Sequence, residues 1–238
     1  MDPTRKTAII IGVLFLLTEV GAIVGRLLYR PVLGNPAFVL ESDPATSVYV
    51  GVLFEVVLII AVVGTAVAAY PVLKRQNEAL ALAYVAARIL EAAIVAVGTL
   101  SLLTVLMLRQ QPGGSNDAAR ETVAGALLAL QDGTLLFGPG FALGVGSLLL
   151  ASLMYGSRLV PRPLALLGLV GGAAITLSTV AVIFGLYGQF STTGLLAALP
   201  VFAWELGLAL WLIIRGFSAI DSPKRIRRGS TSVSAGLL

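Results

Sequence analysis

The 238-residue sequence contains neither histidine nor cysteine, and only 12% of its residues are charged. Without thiols there is no disulfide framework and no cysteine nucleophile. Without imidazoles there is no zinc site of the usual nitrogen and sulfur ligands and no histidine acid–base catalyst. An ordinary soluble domain is about 25% charged, because its surface must be wetted. Half that fraction excludes a water-soluble globule of this length. Apolar residues take up the difference: 58% of the side chains are hydrophobic and the mean hydropathy is +0.97. Several apolar runs reach the roughly 20 residues that cross a bilayer as a helix, so the chain reads as an all-α, polytopic transmembrane bundle.

Six stretches read as spanning helices: 7–28, 47–70, 79–108, 135–155, 163–187 and 195–215. At 1.5 Å per residue the third exceeds the roughly 30 Å hydrocarbon core and is expected to tilt or protrude. Arg5 and Lys6 precede the first run as in a signal peptide. That run is long, however, holds Glu19 and Arg26, and lacks a persuasive cleavage site, so it reads as a retained helix. With the N-terminus inside, the cytoplasmic side collects Arg5, Lys6, Lys74, Arg75, Arg158, Arg162, Arg215, Lys224, Arg225, Arg227 and Arg228, against Arg30, Arg109 and Arg120 outside. Short cytoplasmic loops gather Lys and Arg, so both termini are expected in the cytoplasm. The net charge of +4 is then a topology signal and gives no ground for a nucleic-acid partner. Residues 1–217 form the membrane domain in this reading, and 218–238 a basic, Ser-rich, disordered tail. Lys224, Arg225, Arg227 and Arg228 suit anionic lipid headgroups or a plain stop-transfer flank. Abundant alanine, glycine, valine and arginine, with little lysine, point to a GC-rich bacterial source and hence a bacterial cytoplasmic membrane.

The loops carry turn residues where a bundle needs them. Asp43 before Pro44 reads as an N-cap opening the second helix. Gln111-Pro112-Gly113-Gly114-Ser115 reads as a breaker, and residues 117–131 after it as an interfacial helix lying on the bilayer surface. Gly138-Pro139-Gly140 is expected to kink the start of the fourth span, and Pro200 the sixth. Gly140 and Gly144 form a step that admits a neighbouring helix, continued by Ser147 and Ala151. Trp204 and Trp211, seven apart on one face, suit packing or lipid contact.

Arg5-Lys6-Thr7-Ala8, Tyr70-Pro71-Val72-Leu73-Lys74, Asn77-Glu78-Ala79-Leu80-Ala81, Arg88-Ile89-Leu90-Glu91 and Ser157-Arg158-Leu159-Val160-Pro161-Arg162 occur in this order. Over about residues 5–217 the chain thereby resembles the bacterial membrane family of domain of unknown function 4386. The resemblance implies a six-helix membrane protein and carries no activity, cofactor or site with it.

The chemistry lies in the charges within the spans. A charge at the bilayer centre costs at least about 2.5–3.5 kcal/mol, so it needs a partner or a wet cavity. Glu19 and Glu205 fall halfway along their helices. Arg88 and Glu91 are one turn apart on a face that Tyr84 and Gly98 extend. Glu55 and Arg26 are nearer the outer side, where both reach toward headgroups or water. Four carboxylates face two guanidiniums, so at most two are neutralised by protein cations and the rest need a proton, water or a bound cation. This excess points to a wet acidic cavity built by Glu19, Glu91 and Glu205, with Arg88 holding Glu91, that takes a proton, a cation or a cationic small molecule. The competing reading is a non-catalytic structural or regulatory subunit in which the charges only bind helix to helix. No metal site, P-loop, dinucleotide fingerprint or serine–base pair stands out, so neither cofactor nor enzyme activity is expected. An inverted repeat of three helices, which would favour transport, finds no support in the pattern.

Overall fold

The computed structural model describes residues 3–111 and 116–218. The breaker residues 112–115 and the tail cluster Lys224, Arg225, Arg227 and Arg228 lie outside the described residues. Within them are seven α-helices and no strand: α1 (Pro3–Leu28), α2 (Thr46–Leu73), α3 (Glu78–Arg109), α4 (Asp117–Leu135), α5 (Leu143–Ser157), α6 (Arg162–Ile183) and α7 (Thr192–Ile214). A 3-10 turn, Pro36–Leu40, follows α1, and a π-helical stretch, Leu136–Ala142, fuses α4 to α5. The fused 41-residue helix is one span, which makes six helices long and apolar enough to cross a membrane. The all-helical, six-spanning bundle expected from composition is the fold.

Successive helices pack on one another, and α1 closes the ring against α7. The Arg5 guanidinium donates to the carbonyls of Leu212 (3.1 Å), Ile213 (2.6 Å) and Ile214 (3.0 Å). These are unsatisfied acceptors at the C-terminal end of α7. The start of α1 and the end of α7 therefore share one end of the bundle, the terminal end. The α1–α2 and α6–α7 loops, 29–45 and 184–191, lie at the opposite, far end, as does the α3–α4 connection.

Burial is layered along this axis. Toward the terminal end, Ile11, Phe15, Leu73, Tyr84, Leu150, Met154, Trp204 and Leu208 form the largest core. Leu58, Val62, Ala92 and Val95 pack at mid-depth. At the far end Tyr29, Val32, Phe38, Val39, Leu102, Leu106, Ala124 and Leu128 form another core. Outward residues such as Leu53, Ile60 and Leu177 stay more than 60% exposed, as a face meeting lipid requires.

Three local expectations are corrected, and a fourth, the irregularity at Gly138-Pro139-Gly140, takes a definite form. Residues 117–131 are not a separate surface helix; α4 runs on from the fourth span and packs beside α3 and the 3-10 turn. Its Ala124, Leu128 and Gln131 are buried there, because tertiary packing offered that face a better partner than an interface. At ~1.5 Å per residue, α3 and the fused helix both outrun a roughly 30 Å core. The α2 N-cap is Ala45 rather than Asp43, whose carbonyl accepts from Arg109. The helix expected to reach residue 187 stops at Ile183, since Gly185 turns the chain at φ +72°, a left-handed angle that glycine adopts without steric cost. Finally, Gly138-Pro139-Gly140 produces a π-helical stretch. Pro139 has no N–H to donate to the turn before it, and the chain widens so that Leu143 N–H reaches Gly138 five residues back.

Candidate functional site

At mid-depth the helices line a cavity of about 70 Å³ bordered by Thr18, Glu19 and Ala22 of α1, Leu58 and Val62 of α2, Arg88 and Glu91 of α3, Pro139 of the π-helical stretch, Leu143 of α5 and Glu205 of α7. All four residues that the sequence nominates as the centre of an acidic site line this one space. Their helical positions explain the meeting: each lies near the middle of its helix, and α1, α3 and α7 turn their small and polar faces inward.

Arg88 is the hub. Its Nη1 lies 3.0 Å from Glu91 Oε2 and 3.5 Å from Glu205 Oε1, with all three side chains almost wholly buried. The first contact is one turn along α3; the second ties α3 to α7. The guanidinium also stands 5.7 Å from the Phe15 ring centroid, so α1 covers it with a π-face. Its Nε makes no hydrogen bond. The Tyr84 hydroxyl, fully buried one turn nearer the terminal end, lies close to Arg88 and Thr65 but makes no hydrogen bond of normal geometry. Glu19 and Glu205 line the same cavity. Three carboxyls therefore surround a single guanidinium. With all four ionised the cluster would carry a net charge of −2 in a low-dielectric interior, which neutralisation or hydration must relieve.

Glu55 and Arg26 do not join the cluster. Glu55 is only 5% exposed. Its carboxylate accepts from the Tyr29 hydroxyl (2.8 Å) and the Thr99 hydroxyl (2.8 Å), so the expectation that it reaches headgroups or water is corrected. Burial, and then the Glu55 charge, hold the Tyr29 phenol above the ordinary tyrosine range, which keeps it a donor. Arg26 is half-buried in the last turn of α1. Its guanidinium stacks 4.0 Å from the Phe190 ring in the α6–α7 loop, near Glu55. Tyr29, Thr99 and Phe190 escaped the sequence reading, since nothing in the order of residues pairs them with Glu55 or Arg26.

Two further expectations concern packing. The Gly140–Gly144 step does admit a neighbour, α6. A Cβ on the facing Gly172 would come within 2.8 Å of the Gly144 carbonyl oxygen. Trp204 is fully buried with its ring against Gly168, which makes it a packing residue rather than a lipid anchor. Among the described residues no three acidic side chains meet in an arrangement able to hold a metal ion.

A family model described as Domain of unknown function (DUF4386) matches residues 10–216. No curated protein and no solved structure matches significantly.

Proposed function

This chain belongs to the membrane family of domain of unknown function DUF4386, and we propose that its carboxyl cluster binds and exchanges a proton at mid-membrane. The observation that carries this reading is that Glu19, Glu91 and Glu205 share one cavity of about 70 Å³ with a single guanidinium. The size narrows the occupant. Sites for small organic molecules measure about 300–1,000 Å³, whereas this space suits about two waters at roughly 30 Å³ each. A cationic organic solute is thereby disfavoured. A proton needs no coordination shell, and one of them lowers the net charge of the ionised cluster from −2 to −1. In this reading Arg88 keeps Glu91 ionised, and Glu19 and Glu205, which line the same cavity, share the exchanging proton. The activity is non-enzymatic. The terminal end, with Arg5, Lys6, Lys74, Arg75, Arg158 and Arg162, faces the cytoplasm of a bacterial cell under the positive-inside rule.

Infrared spectroscopy tests the binding step. A protonated carboxyl has a C=O stretch that shifts in D₂O; the expected band is present in the wild type, absent in Glu19→Gln and retained in Glu55→Gln. Transport is tested in vesicles holding an internal pH dye, with a potassium diffusion potential as the driving force. Potential-driven acidification should vanish in Glu19→Gln and Glu205→Gln. A band and a flux indifferent to these substitutions would sink the proposal.

A second reading keeps the charges structural, and the bridge from α3 through Arg88 to Glu205 on α7 favours it. It predicts that Glu19, which takes no part in that bridge, is dispensable for every readout.

A further inference from the structure

A cavity of about 180 Å³ lies toward the far end, between the fused helix, α6 and α7. Its walls include Leu136, Pro139 and Gly140 on one side, Ser178 and Thr179 of α6, and Gln189 and Phe190 of the α6–α7 loop. Pro139 also lines the inner, carboxyl-bearing cavity. One residue of an irregular helical turn thus borders both spaces. Its neighbours hold it on two sides. A Cβ at Gly138 would come 3.6 Å from the Glu91 carbonyl oxygen, and one at Gly140 would come 2.5 Å from Thr179 Oγ1. The turn is accordingly wedged between the Glu91 turn of α3 and α6, at the depth of the cluster.

We propose, taking the carboxyl cluster as the exchanging site, that the outer cavity is its entrance from the far end and that the π-helical turn around Pro139 is the septum between them. The outer cavity has room for a short chain of waters at about 30 Å³ each, and water needs polar partners there. Ser178 Oγ, which already accepts from the Tyr187 hydroxyl at 3.0 Å, the Thr179 hydroxyl, which itself donates to the Ile175 carbonyl at 2.9 Å, and the Gln189 amide supply them within walls that are otherwise mostly apolar. A π-helical turn has looser hydrogen bonding than the α-helix flanking it, and such turns recur at functional positions. Pro139 is the one side chain that lines both cavities, so a rearrangement of this turn is what would join them. Phe190, stacked on Arg26, stands at the rim of the entrance.

The absence of native cysteine makes this testable with single thiols. Ser178→Cys places a thiol in the outer cavity and Thr18→Cys one in the inner, each in place of a hydroxyl. Sealed right-side-out and inverted vesicles of the full-length protein are exposed to silver ion, a small cation that caps thiols and blocks later maleimide labelling after denaturation. Silver applied at the far face should abolish labelling of Ser178→Cys quickly and of Thr18→Cys more slowly. Applied at the terminal face it should spare Ser178→Cys. Capping of Thr18→Cys from the terminal face alone, or from neither face, overturns the entrance.

Adding Pro139→Ala restores an N–H donor to the turn and should slow capping at residue 18 while leaving residue 178 unchanged. Equal rates with and without it remove Pro139 as the septum. The sidedness of residue 18 decides the path even if Pro139→Ala fails to fold. Failure of the path is separable from failure of the proton reading. Silver entering from the far face in a protein without a carboxyl infrared band leaves a path without a proton site, and a band with terminal-face entry leaves the site without this path.

Discussion

Arg88 carries more of the molecule than any other single side chain, because two carboxylates on different helices depend on it. Arg88→Met strands both, and removing one member of a buried ion pair costs about 3–5 kcal/mol. Thermal unfolding in detergent should show that loss, and combining it with Glu91→Gln and Glu205→Gln should recover most of it. Glu19→Gln is the contrasting case. It removes a carboxyl with no basic partner of its own, so the expected result is unchanged or raised thermal stability together with loss of the proton readout. Around Glu55, Tyr29→Phe and Thr99→Val each delete a hydrogen bond to a buried charge, and each should lower stability by about 1.5–3 kcal/mol in the same melt. The residue scale also shows how far the candidate site was legible. Glu19, Arg88, Glu91 and Glu205 could be nominated because a charge within an apolar run is conspicuous. Glu55 was misjudged, since depth along one helix says nothing about the hydroxyls that its neighbours present.

At the scale of the element, the helices follow from apolar run length and from local caps. The Asn77 side chain accepts from Leu80 N–H at 3.0 Å to start α3, and that of Ser191 from Gly194 N–H at 3.3 Å to start α7. Helix pairing then depends on close backbone approach. Gly172→Leu drives a side chain into the Gly144 carbonyl and the backbone nitrogen of Leu148. An overpacked contact of this kind costs about 1–3 kcal/mol, so the variant should melt earlier, with α5 and α6 gaining hydrogen exchange first. The α3–α4 hairpin has a different fastening. Arg120 donates to the carbonyls of Leu108 (2.7 Å) and Gln111 (3.2 Å) at the end of α3. Arg120→Ala should speed amide exchange in the first turns of α4 and leave the mid-membrane helices as protected as before. The sequence marked this segment as amphipathic, but an amphipathic face suits a membrane surface and a neighbouring helix equally well.

For the whole molecule, the testable quantity is orientation. Arg5 ties α1 to the end of α7, so both lie at one end of the bundle, and the positive-inside rule assigns that end to the cytoplasm. In intact bacterial cells an impermeant maleimide should label Ala118→Cys, in α4 at the far end, and spare Gln76→Cys, in the α2–α3 connection, until the membrane is broken. Reversed labelling would invert the bundle and, with it, the side from which the outer cavity opens.

The solvent, the helix class and the number of passes are legible in the order of residues alone. Each depends on summed hydropathy over about 20 residues, which needs no knowledge of neighbours. The same order singles out the charges that lipid would not tolerate. Which of them meet depends on how the helices pack. Arg88 and Glu205 lie 117 positions apart, and their contact exists because α3 and α7 face one interior. The same is true of the π-helical turn. Proline and glycine announce a break at 138–140, but that the break stands between two cavities depends on where α3, α6 and α7 end up around it. Hydropathy is a property of the segment; a cavity is a property of the arrangement.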